Sequence, residues 1–158
     1  MLKSLFMIVW VAILTPTLRA DDNKDKPNLH SIEGHWAVTE ASADGKRVEL
    51  PHNWIFKANG KANLIDRKLG TQSLFRFKLD DTVTPYRIEL TYFGPDDRLK
   101  GHRQIGIWKL DGDQLTMLLQ QPSTAQKLKS DQYPSDFNKP SGKEMLLMLE
   151  RQILSVKD

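Results

Sequence analysis

The sequence predicts an all-β fold, a small eight-stranded up-and-down antiparallel barrel, on three observations. Apolar residues recur at every second position in eight separate runs, the pattern of strands with one face in a core. No run has the length and 3.6-residue period of a substantial helix. The connections alternate longer, tight, longer, short, longer, tight, longest. Up-and-down order therefore gathers Asn59-Gly60, Asp80 to Pro85 and Asp111-Gly112 at one closed end, and the long loops at the other. A β-sandwich is the alternative arrangement of the same strands.

The first strand, Ser31 to Ser42, puts Ile32, Gly34, Trp36 and Val38 on one side, with Glu33, His35 and Thr39 opposite. Asp44-Gly45 and Pro51 bracket a longer connection. Trp54 to Ala58 alternates, Asn59-Gly60 signals a type I′ hairpin, and Lys61 to Ile65 returns. After a loop through Lys68 and Gly70, Leu74 to Leu79 presents Phe75, Phe77 and Leu79 on one face; Tyr86 to Phe93 answers with Ile88, Leu90 and Tyr92. Gly94-Pro95-Asp96-Asp97 turns the chain. His102 to Leu110 aligns Gly106, Trp108 and Leu110, and Asp113 to Gln120 returns with Leu115, Met117 and Leu119. Gln121 to Lys143 is long, irregular and rich in Pro, Ser and Lys. Glu144 to Arg151 closes the set with Met145, Leu147, Leu149 and Arg151 on one face.

Residues 1–20 read as a signal peptide. Lys3 is the basic start, Leu5 to Leu14 the apolar run, Thr15-Pro16-Thr17 the break and Ala20 the small residue at the cut. The alternative is an uncleaved anchor. Residues 21–30 are a polar, Pro-containing tether, and 31–154 form the barrel domain. Cleavage removes Lys3 and Arg19 and lowers the net charge from +3 to +1. That leaves none of the basic excess expected of a nucleic-acid binder, and no stable membrane span. The chain has no cysteine, which excludes disulfide staples, thiol catalysis and Cys-based zinc sites. A bacterial periplasmic or extracellular location suits such a domain.

Several of these stretches together resemble a planctomycete-type exported lipocalin-like domain family of unknown function. They are Ile32-Glu33-Gly34-His35-Trp36, Leu79 to Leu90 with its Thr84-Pro85 turn, Gly94-Pro95-Asp96, Gly106 to Leu115, Tyr133-Pro134-Ser135-Asp136-Phe137 and Leu147 to Arg151. The resemblance implies a small barrel and export, and no established activity. The chain departs from the wider lipocalin group in lacking a Thr-Asp-Tyr type motif near Asp111. Only seven residues follow Arg151, which leaves no room for a C-terminal helix.

Among chemistry-bearing residues, Trp36 and Arg151 fall on the inner faces of the first and last strands, neighbours in a closed barrel. A guanidinium over an indole would seal the closed end there, as such a pair does in lipocalins. Glu40 continues the inward alternation toward the open end, where it would be a general acid or a ligand contact. The inward set Trp54, Phe56, Phe75, Phe77, Trp108 and Met117 would either line a cavity for an apolar ligand or fill the interior solidly. In the four long loops eleven basic residues face seven acidic ones, which favours an anionic amphiphile as ligand. Ile105 and Ile107 are the seed of an exterior apolar patch for an envelope protein partner. His30, His35, His52 and His102 have no metal-ligand spacing, and Asp111 and Asp113 do not make a calcium loop, so no metal or cofactor is expected. No nucleophile, base and orienting group can be assigned together, and no enzyme is expected.

Overall fold

The strands are β1 (Gly34–Ala43), β2 (Lys46–Arg47), β3 (His52–Lys57), β4 (Lys61–Asp66), β5 (Gln72–Asp80), β6 (Tyr86–Tyr92), β7 (Arg103–Asp111), β8 (Gln114–Gln120) and β9 (Glu144–Arg151). The computed structural model from which they come describes residues 32–120, 132–138, 140 and 142–153, so the leader, the tether and most of the β8–β9 connection lie outside the described residues. From β3 onward each strand pairs antiparallel with the next, β1 pairs with β3, and β9 returns to β1. The sheet is thus a closed eight-stranded up-and-down barrel of lipocalin-like topology. The two-residue β2 is an extra return on the end of β1, and closure leaves no sandwich.

Turn chemistry explains the ends. Asp44 and Gly45 both have positive φ between the paired Ala43 and Lys46, the type I′ geometry that Asp-Gly favours. What reads in sequence as a long connection therefore begins as a tight hairpin. Asn59-Gly60 is a hairpin of another kind. Ala58, Asn59 and Gly60 lie between the paired Lys57 and Lys61, and only Gly60 has positive φ. That is the three-residue turn with a glycine bulge instead of type I′.

Inward alternation holds along β3 to β9 but breaks in β1. The β1–β9 register shifts between Val38 and Glu40, so Thr39 is an extra residue. Ala41, and not Glu40, takes the next inward place; Ala41 is buried and Glu40 is exposed. A bulge moves every later side chain to the opposite face, which overturns the inward position expected for Glu40.

The closed half of the barrel is solid. Trp36, Phe56, Ile88, Leu90, Trp108, Leu115 and Met117 are all buried to 2% exposure or less. Each such side chain contributes about 1.5–3 kcal/mol of burial. Gly106 belongs here because a Cβ would overlap the Leu118 carbonyl oxygen and stand 2.7 Å from Leu119 Cδ2. Any larger residue would push β7 from β8.

Outside the barrel, residues 132–138 run along β6 and β7. The Tyr133 ring lies under the Arg87 guanidinium at 4.7 Å, and the Phe137 ring under Lys109 Nζ at 5.2 Å. Pro134 between them is buried. Ile105 and Ile107 on this outer face are each 0% exposed. They form no exposed patch, which corrects the expectation that they seed a partner surface.

Candidate functional site

Toward the open end the filling stops. An aromatic ladder climbs one wall. Phe77 meets Phe56 edge-on at 5.2 Å, Phe56 stacks on Trp54 at 5.5 Å, Trp54 leans on Phe75 at 5.6 Å, and Phe75 meets Tyr92 at 5.6 Å. Such contacts fix the rings beyond their burial energy. Above Trp54 and Phe75 lies a cavity of about 300 Å³, open to solvent, whose apolar wall is completed by Val38, Leu50, Leu64, Leu119, Met145 and Leu147.

Of the expected cavity residues, Trp54 and Phe75 line this space. Phe56, Phe77, Trp108 and Met117 do not; they belong to the closed-end core. Glu40 lies outside the cavity, in a second cleft. The interior is half packed and half hollow, so the filled and lined readings each describe one end.

The polar residues at the cavity rim come from strand ends. His52, Ser73, His102, Arg103 and Gln104 line it, with Leu99 leaning over from the β6–β7 loop. Gln104 donates to the Gln120 carbonyl at 2.8 Å. Arg103 donates to both oxygens of Glu89, from Nε at 3.1 Å and Nη2 at 2.7 Å. These bonds hold the Glu89 carboxyl below its ordinary pKa. The Asp66 carboxylate accepts from the Leu69 and Lys68 amides, which, with the charge of His52 3.8 Å away, hold its pKa below the usual value. Ser73 and His52 line the same space and share no hydrogen bond. Among the described residues no group of three His, Asp or Glu side chains could hold a metal ion.

A second opening lies beside the first, where β1 leaves β3. Their ladder covers only Gly34 to Ala37 against Phe56 to Asn53. Beyond it β1 bends away with the Thr39 bulge, and residues 46–51 cross the gap, anchored by Val48 donating to the Ala41 carbonyl and Arg67 to the Pro51 carbonyl. The result is a lateral cleft of about 430 Å³ lined by Val38 to Ala41, Arg47 to Pro51 and Arg67. Val38 and Leu50 border both cleft and cavity.

At the closed end Trp36 and Arg151 meet as expected. They are register partners, and the guanidinium lies 4.2 Å from the indole centroid. Trp36 Nε1 donates to the Ile32 carbonyl at 2.8 Å, Arg151 Nη1 to the Glu33 carbonyl at 2.7 Å, and Arg151 Nε to Asp113 at 3.1 Å. Gly34 has φ +126, and a Cβ there would sit 3.0 Å from Arg151 Nη1, so the Gly-x-Trp spelling is what lets the arginine lie across the barrel floor. This pair closes the barrel and is remote from the cavity.

His52, Ser73, Leu99, Arg103 and Gln104 are the site residues that inward aromatic patterning does not pick out. Their signal is position: each lies on a strand end or loop on the long-loop side. The chain matches no family model, no curated protein and no solved structure.

Proposed function

We propose that this chain is an exported binding module that holds one small apolar or amphipathic molecule in its open-end cavity. The half-filled interior carries this reading: an aromatic and aliphatic wall with a few polar groups only at the rim is the usual composition of a small-ligand site. About 300 Å³ is at the lower limit for such sites. A medium-length acyl chain or a two-ring aromatic suits that space. Export is supported by the charged, apolar and small-residue order of residues 1–20.

The test is titration with the uncharged fluorophore N-phenyl-1-naphthylamine, read by its emission and by energy transfer from Trp54. Saturable binding of one probe per chain, lost when Ser73→Trp fills the cavity of a folded variant, is the expected result. Equal binding to both proteins would place the probe on the surface and end the cavity reading.

A further inference from the structure

The cations of the described rim loops separate into two groups. On the β4–β7 side each is tied to a carboxylate: Lys68 to Glu49 at 3.0 Å, Arg98 to Asp96 at 2.8 Å, Lys100 to Asp97 at 3.8 Å and Arg103 to Glu89 at 2.7 Å. Lys46, Arg47, Arg67 and Lys143 have no ion pair with any described residue. Arg47 and Arg67 line the lateral cleft, and Lys46 adjoins Arg47 in β2. Among the described residues, the unpaired cations that line an opening are therefore Arg47 and Arg67 at the side of the barrel, while the cations of the β4–β7 rim are tied to neighbouring acids.

We propose that the lateral cleft is an anionic head-group site. The apolar part of the ligand occupies the cavity beside Trp54, and its acid passes between Val38 and Leu50 to Arg47 and Arg67. This rests on the cavity reading above and adds a ligand class, a medium-chain carboxylate or another acid on an apolar tail. Arginine suits the role because its planar fork takes a carboxylate in two parallel hydrogen bonds. Burial of the tail next to the cleft fixes the acid there without a deep charged pocket. Two carboxylates share the cleft walls, Glu40 and Glu49. Glu49 is occupied by Lys68, whereas Glu40 has no ion-pair partner among the described residues and opposes an incoming acid.

Decanoic acid and decan-1-ol, used to displace N-phenyl-1-naphthylamine at pH 7.5, separate head-group recognition from tail burial. The wild-type chain binds decanoate more tightly than decanol, and high salt narrows the difference. Arg47→Gln/Arg67→Gln loses about tenfold in decanoate affinity, the sum of two exposed charge pairs, and leaves decanol unchanged. Glu40→Gln tightens decanoate a few-fold. Arg98→Gln, on the axial rim, leaves the decanoate-to-decanol ratio where it was. Equal affinity of wild type for acid and alcohol overturns the head-group site and leaves the apolar cavity standing. So does a ratio that survives loss of both arginines or collapses with Arg98→Gln. Failure of both ligands to displace the probe overturns the cavity reading and this inference together.

Discussion

Removing the indole–guanidinium contact at the barrel floor should show energetic coupling between the first and last strands. Trp36 is fully buried, so Trp36→Leu loses much of its aromatic area and leaves the Ile32 carbonyl without its donor. The cost should approach the ~3–5 kcal/mol of aromatic truncations. Arg151→Met keeps an apolar stem over the ring but gives up three contacts with described residues. The bond to the Glu33 carbonyl is worth about 1.5–3 kcal/mol. The pair with the exposed Asp113 is worth under ~0.5 kcal/mol. The cation–π contact, with the arginine side chain 28% exposed, should add about 0.5–1 kcal/mol. Only this last term depends on both residues. The double variant should therefore cost about 0.5–1 kcal/mol less than the sum of the singles. Urea denaturation followed by far-ultraviolet circular dichroism reads all four proteins without relying on the mutated fluorophore. Additivity within ~0.3 kcal/mol would show that the ring and the guanidinium are neighbours without being partners.

Gly106→Ala should destabilise by about 1–3 kcal/mol or more through overpacking against the Leu118 backbone, checked by the midpoint of the same denaturation curve. Glu89 has a folded pKa lowered below its ordinary value of about 4.5, chiefly by its Arg103 hydrogen bonds, so its stabilising contribution is complete above that value and is lost as pH falls through the folded value. Arg103→Gln should thus be less stable than wild type at neutral pH, by no more than ~1 kcal/mol for so exposed a pair, and the gap should close in acid. A gap that stays constant to the acid end would exclude that linkage. Tyr133→Ala/Phe137→Ala should loosen the 132–138 segment from Arg87 and Lys109, raising binding of an anilinonaphthalene dye several-fold with unchanged far-ultraviolet signal.

The barrel was legible because period-two patterning and turn chemistry are local signals, and here they agree with the global fold. The position of the cavity was legible too, though patterning by residue type misplaces it. Phe56 and Trp108 each stand three residues from a tight-turn residue, Asn59 and Asp111 respectively, so they had to fall in the closed half. Trp54 and Phe75 lie farther toward the long loops. Height along the strand, counted from the turns, separates filling from lining; aromatic character alone does not. The exterior run of residues 132–138 had no such signal. Ile105 and Ile107 read as an exposed stripe because nothing in β7 itself says that they will be buried on the outer face.

The lateral cleft comes from two local departures that no periodic pattern reveals. Thr39 is one residue too many for the β1–β9 register, and a bulge bends and twists its strand. Pro51 has no N–H to extend the β1–β3 ladder past the Ala37–Asn53 pair. With β1 turned outward and β3 unable to follow, the wall parts, and residues 46–50 bridge it without closing it. His52 Nδ1 and Asn53 Oδ1, at the point where the ladder ends, are buried with no hydrogen-bond partner among the described residues. A continuous β1–β3 seam would remove the gap, and Val38 and Leu50 would then face only the interior. At that seam lie two arginines without an ion pair among the described residues on the outer side and an apolar hollow on the inner, the arrangement on which the proposed head-group site rests.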